Sequence, residues 1–258
     1  MAESSSRFDI RNWLVPIITV MLIAATGFIV GFALTIFSLQ ALILAGVPVQ
    51  EYPTLLIAIS VLMLQGVGFG SVGLGYLYVS DYGFGLLNVR WPGVRDFIWF
   101  LAGLIGLFVL LISVNVVLMV VGIETAQHEL VGIGLENPEI LLVLIPLSII
   151  LVGPGEELLF RGVIQQLLRE RFGAWFAIIL ASVIFAIAHV GALTGDGLLP
   201  TLIIYFVLSI LLGAVYEYSG NLVVPALIHG VFNAIQFLLL YVIATYDMLP
   251  ALVSLFLL

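Results

Sequence analysis

Long apolar runs, broken by short polar or Pro/Gly-rich stretches, dominate the sequence. They predict helices over residues 13–46, 53–79, 97–122, 139–170, 174–190, 198–217 and 221–245. A membrane-crossing helix needs about 20 mostly apolar residues, and each run meets or approaches that length. The first run has room for one tilted helix plus a membrane-associated turn, and the apolar tail Ala251–Leu258 crosses only by continuing the last helix past Pro250. The pattern predicts an all-α fold, a polytopic membrane helical bundle of seven to eight transmembrane helices.

Composition agrees with the pattern. Of 258 residues, 63% are hydrophobic and 9% charged, against roughly 45–50% and about 25% in soluble domains. Almost nothing is left over for a separate water-soluble domain. Met1–Asn12 is polar, and the apolar run behind it is far longer than a signal-peptide core, so it reads as a retained span. With no cysteine, disulfides, thiolate metal sites and thiol nucleophiles are excluded. A net charge of −8 with no lysine opposes nucleic-acid binding.

The arginines orient the spans, because basic residues accumulate in cytoplasmic loops. Arg7, Arg11, Arg90, Arg95, Arg169 and Arg171 all fall on one side of the seven-span arrangement. The opposite loops contain Glu51, Glu124, Glu129, Glu136, Glu139, Asp196 and Asp247 and no basic residue. The reading is a multi-pass cell-membrane protein with a cytoplasmic N-terminus. The cluster Gly66, Gly68, Gly70, Gly73 and Gly75 in the second run suits close helix packing.

An ionisable residue at bilayer depth costs on the order of 3 kcal/mol and is read by default as functional. Such residues concentrate in the C-terminal half: Glu156, Glu157 and Arg161, then His189, Glu217, and His229 with Asn233. The first three spans hold little beyond Asn115 and a few hydroxyls, which marks them as scaffold. Gly153-Pro154-Gly155 suggests a kink or restart that would place both glutamates near a fresh helix N-terminus. Residues four apart share a helix face, so Arg161 reaches Glu157 and leaves Glu156 free as a candidate general base. By the same spacing His229 and Asn233 form one patch, a candidate oxyanion hole, and Phe185 shares a face with His189 and walls it. Rise per residue puts Glu156, His189 and Asn233 at similar depth, with His229 nearer the cytoplasmic end.

The ordered set Glu156-Glu157-x-x-x-Arg161, Phe185-x-x-x-His189 and His229-x-x-x-Asn233 resembles the three motifs of the CAAX prenyl protease and bacteriocin-processing (Abi) family. The resemblance covers roughly residues 139–240, including Phe160-Arg161-Gly162 and the Glu217-x-x-Gly220-Asn221 turn. It implies an intramembrane endopeptidase that cleaves near the C-terminus of a protein or peptide substrate, prenylated in the type case. Carried over, Glu156 with His189 would activate a water, His229 with Asn233 would hold the oxyanion, and Glu157, Arg161 and Phe185 would support them. The division expected is 1–138 scaffold helices, 139–245 catalytic membrane domain and 246–258 hydrophobic tail.

Metal dependence is a fork. Glu156, His189 and His229 match a two-His, one-Glu zinc set, which would make the chain a metalloprotease. Assigning His229 to the oxyanion hole favours a metal-free site, and no cofactor is otherwise implied. The competing classes are a proton-coupled transporter using the same Glu and His, and a non-catalytic immunity or scaffold protein. The expected partners are the lipid bilayer and a protein or peptide substrate, with no nucleic acid.

Overall fold

A computed structural model describes residues 10–246. Eight helices carry the fold: α1 (Ile10–Leu44), α2 (Pro53–Val79), α3 (Val94–Val121), α4 (Glu129–Glu136), α5 (Glu139–Phe172), α6 (Ala174–Ala188), α7 (Leu198–Ser219) and α8 (Val223–Tyr246). All but the short α4 belong to apolar helical stretches long enough to cross a membrane. The continuation of the tail past Pro250 lies outside the described residues.

Helix ends follow local chemistry. Pro53 opens α2, where a missing N–H costs nothing. The third span begins at Val94 rather than 97, because the Asp96 carboxylate accepts the Gly93 N–H at 2.7 Å and secures the first turn. Gly220 turns the chain from α7 into α8 at φ 62°, a left-handed conformation that side chains resist.

Gly153-Pro154-Gly155 does not restart a helix. The backbone stays helical through α5, with π-wound turns at Ser148–Val152 and Leu158–Gln165 on either side of Gly153–Glu157. Wide turns of this kind absorb a proline inside a membrane helix. The expected helix-terminus field at the glutamates therefore has no structural basis. The glycines allow close approach instead. A Cβ on Gly153 would collide with the Ala226 carbonyl and the Gly230 backbone of α8, and one on Gly155 with the Gln65 carbonyl of α2.

Three apolar clusters hold the helices together. The largest joins α1, α2, α5, α6 and α7 through residues such as Phe69, Phe160, Phe185 and Tyr205. The second joins α3, α7 and α8 around Leu107, Leu208 and Phe232. The third joins α2, α4, α5 and α8 around Val61, Leu144 and Leu240. Of the glycine cluster in α2, Gly68 packs against Gly31, Gly66 against Leu151 and Gly73 against Leu158, while Gly70 and Gly75 face open space.

The two ends of the bundle differ. At one end Arg90 bonds both oxygens of Asp96 and the Ser219 carbonyl, Arg95 reaches the Tyr218 carbonyl, and Arg169 pairs with Glu217. At the other, a two-residue antiparallel ladder pairs β1 (Gln127–His128) with β2 (Leu193–Thr194), and Thr201 donates to the Ala126 carbonyl. The described arginines outside the bundle core thus gather at one face, as the loop pattern predicts.

Candidate active site

A cavity of about 390 Å³ lies where the three clusters meet, walled by members of each. Glu156, His189, His229 and Asn233 all line it, with Phe185 beside them. Glu157 and Arg161 lie behind the wall, 0% and 1% exposed.

The two adjacent glutamates have opposite surroundings. Glu157 Oε1 takes Arg161 at 3.0 Å, one helical turn on. The guanidinium also donates to Ser209 Oγ at 2.9 Å and its Cζ stands 4.5 Å over the Phe185 ring. Glu156 has none of this. Its Oε2 is buried without a hydrogen-bond partner, and the imidazole Nε2 of His229 stands 4.0 Å away. Gln65 of α2 lines the same cavity, with its side chain in hydrogen-bonding contact with Glu156.

Both imidazoles are oriented by their Nδ1 atoms. His229 Nδ1–H donates to Glu157 Oε1 at 2.8 Å, which turns Nε2 toward Glu156. In its neutral form this ring therefore offers Nε2 as an acceptor, and it becomes a donor there only when doubly protonated. The oxyanion-hole role expected for His229 therefore requires the doubly protonated ring at that nitrogen. His189 Nδ1–H donates to the Phe185 carbonyl at 2.8 Å, leaving Nε2 as an acceptor, and the ring stacks on Tyr205 at 4.4 Å. The Phe185 backbone thus fixes His189 directly, while its ring covers Arg161.

His229 Nε2 lies within 4.0 Å of Glu156 Oε2, so the depth difference expected from counting residues does not separate the two groups. Glu217 does not join the site, because it pairs with Arg169 at the arginine face. Among the described residues, no three His, Asp or Glu side chains are arranged to hold a metal ion. Glu156, His189 and His229 form no such group, although the Nδ1 bonds of both rings leave each Nε2 free. The metalloprotease reading is not supported.

Sequence reasoning missed several wall residues. Gln65 is a lone amide in a span read as scaffold, Tyr205 and Ser209 sit four apart on α7, and His128 lies in the loop ahead of α4. The four-residue spacing of Tyr205 and Ser209 was the available signal.

Comparison with known proteins bears on this same stretch. The family model described as type II CAAX prenyl endopeptidase Rce1-like matches residues 138–235. This segment is similar to that family. It contains every residue of the three motifs and, with the seven apolar helices, makes the chain a multi-pass membrane protein. The sequence is also 38% identical over 86 residues to the uncharacterized protein YpbD of Bacillus subtilis (strain 168). That match spans 33% of this chain and 40% of the relative, so the chain covers about two fifths of the relative's length. No solved structure matches it. The Rce1-like segment ends inside α8, just past Asn233.

Proposed function

We propose that the chain is an intramembrane endopeptidase that hydrolyses a peptide bond near the C-terminus of a membrane-associated substrate. One observation carries this reading: Glu156 keeps an unclaimed carboxylate oxygen at the cavity wall while its neighbour Glu157 pairs with Arg161. A water held between Glu156 and the Nε2 acceptor of His189 gives up a proton to Glu156 as its oxygen attacks the scissile carbonyl carbon. The oxyanion forms against the Asn233 amide N–H and against His229 when Nε2 carries a proton. Glu156 then passes its proton to the leaving nitrogen, the C–N bond breaks, and an acid and an amine leave. Glu157 and Arg161 act as positioning residues, since Glu157 orients His229 and Arg161 offsets the buried charge.

The apolar walls suit a lipid-bearing substrate. Phe28, Phe32 and Leu64 line the cavity, and Phe32 is also exposed on the outside of the bundle. This supports a prenylated C-terminal peptide as substrate, with α1–α3 supplying walls and α5–α8 supplying chemistry. A proton relay for transport needs access from both faces, whereas the loops that line this cavity belong to one face.

The test is to incubate the purified protein with a farnesylated CAAX peptide, with and without chelator, and follow tripeptide release by mass spectrometry. Release that survives chelator and disappears in Glu156→Gln supports the reading. Intact peptide with a folded wild-type protein overturns it.

A further inference from the structure

We infer that Gln65 is a positioning residue for the hydrolysis: its amide N–H holds one oxygen of Glu156, so that the other oxygen alone takes the proton from water and returns it to the leaving nitrogen. This rests on the peptidase reading and brings into it a residue from outside the segment that the family model matches.

The backbone delivers Gln65 to the site. It sits in the π-wound stretch Leu62–Phe69 of α2, and π-turns are frequent at functional sites. Glycines wedge that stretch between two helices. A Cβ on Gly31 of α1 would collide with the Leu64 backbone, and one on Gly155 of α5 with the Gln65 carbonyl. Gly155 immediately precedes Glu156, so the contact that fixes the Gln65 backbone also fixes its place beside the general base.

The side chain does more than fill space. α1 and α2 also contribute Phe28, Phe32, Val61, Leu64 and Phe69 to the cavity wall, all apolar. Gln65 is the exception, and its Oε1 is buried with no hydrogen-bond partner among the described residues. A hydrocarbon side chain would fill the same place without stranding an acceptor. What the amide gains is a contact through its other end. Gln65 is in hydrogen-bonding contact with Glu156, and an ionised carboxylate only accepts, so the Gln65 Nε2–H is the donor. Glu156 Oε2 is likewise without a partner among the described residues, which leaves Oε1 as the oxygen that takes the amide.

The consequence is chemical. A carboxylate with both oxygens free turns about its last bond and picks up a proton on either one. Here Oε1 is committed, and Oε2 is the oxygen that stands 4.0 Å from His229 Nε2. The proton drawn from the attacking water goes to Oε2 as the water oxygen bonds to the carbonyl carbon. It leaves Oε2 for the nitrogen as the C–N bond breaks, and Glu156 returns to its ionised form. Gln65 itself exchanges no proton; it sets which oxygen does.

Two variants and two readouts test this. Gln65→Met keeps the length of the side chain and removes the amide, and Gln65→Leu serves in its place if that variant does not fold. With the farnesylated CAAX peptide, kcat should fall on the order of 10- to 100-fold. KM should stay within about twofold, the signature of an interaction that matters only in the transition state. Gln65→Glu should be at least as slow when both carboxylates are ionised. It should recover towards the wild type as pH falls, because a protonated side chain at that position can again donate to Oε1. Glu157, Arg161 and His229 surround Glu156 in all three proteins, so the kcat ratio to wild type isolates the change at residue 65. That ratio should be flat with pH in Gln65→Met. The second readout needs no hydrolysis. In acid, the infrared C=O band of protonated Glu156, identified by its loss in Glu156→Gln, should move to higher wavenumber in Gln65→Met, where Oε1 no longer accepts an N–H. Unchanged kcat, a rise in KM without a fall in kcat, the same pH-independent loss in both variants, or an unmoved band would each overturn the inference. A wild-type protein that cuts no peptide would sink the peptidase reading separately, with the band still deciding the Gln65 contact.

Discussion

The N-terminal and C-terminal halves of the bundle are almost equally apolar but are used differently. In the most apolar windows of α1, α2 and α3, 28%, 22% and 17% of residues are buried inside the protein, against 44% in each of α5, α7 and α8. The first three helices spend their apolar side chains on lipid, as exposed Ile29, Phe37 and Val109 illustrate. The last helices turn theirs inward and can therefore shelter charges that lipid would expel. Burial inside protein, rather than hydrophobicity, decides where ionisable groups are tolerated.

The strongest way to sharpen this contrast is to separate chemistry from support within α5. Glu156→Gln keeps the shape and removes the charge of a carboxylate whose Oε2 has no hydrogen-bond partner, so peptide release should fall by about 10³-fold. The detergent melting temperature should stay near that of the wild type. Arg161→Leu should do the opposite to the fold. It strands the Glu157 charge, 0% exposed, and should destabilise by about 3–5 kcal/mol, measured by thermal or denaturant unfolding in micelles. Phe37→Ala, on the lipid-facing side of α1, should change stability by less than about 0.5 kcal/mol. A comparable loss at Phe37 would erase the distinction between the halves.

Gly155→Ala tests the seam between them. The added methyl meets the Gln65 carbonyl of α2, and overpacking a tight contact costs about 1–3 kcal/mol. Because Gln65 and Glu156 line the same cavity, activity should fall more than stability alone accounts for, read as a lower kcat at a temperature where the variant is folded. Unchanged kcat would mean that α2 is a passive wall.

What the sequence could carry depended on range. The spans were legible because bilayer thickness fixes their length, and the observed stretches begin and end within three residues of the expected ones. Pairings one helical turn apart, Glu157 with Arg161 and Phe185 with His189, were legible for the same geometric reason. The Glu157–His229 bond joins residues 72 apart, and Arg161–Ser209 joins residues 48 apart. No local period encodes either, since both depend on how α5, α7 and α8 cross. The Gly-Pro-Gly restart failed because local rules for proline assume an isolated helix. Here π-turns and two tight helix contacts keep the backbone wound.

His128 belongs to neither half, and it offers the mildest test, through pH. Its Nδ1 accepts the Leu130 N–H at 3.1 Å, capping α4, so the ring's proton sits on Nε2. Burial, with His189 nearby, holds its pKa down from 6.5 to about 4. Charging the ring requires a proton on Nδ1 and so breaks the cap. Between those two pH values the undocked segment binds more protons than the docked one. The contribution is therefore intact above about pH 6.5 and is lost as pH falls toward 4. Because the ring is part-exposed, screening should leave on the order of 1–2 kcal/mol. His128→Asn keeps a good capping oxygen without the titration. Amide exchange of residues 129–136 should then quicken on acidification in the wild type but not in the variant, once the shared contribution of Glu124, Glu129 and His189 is subtracted. Equal acid sensitivity in both would place the weak point in those neighbouring groups instead of the cap.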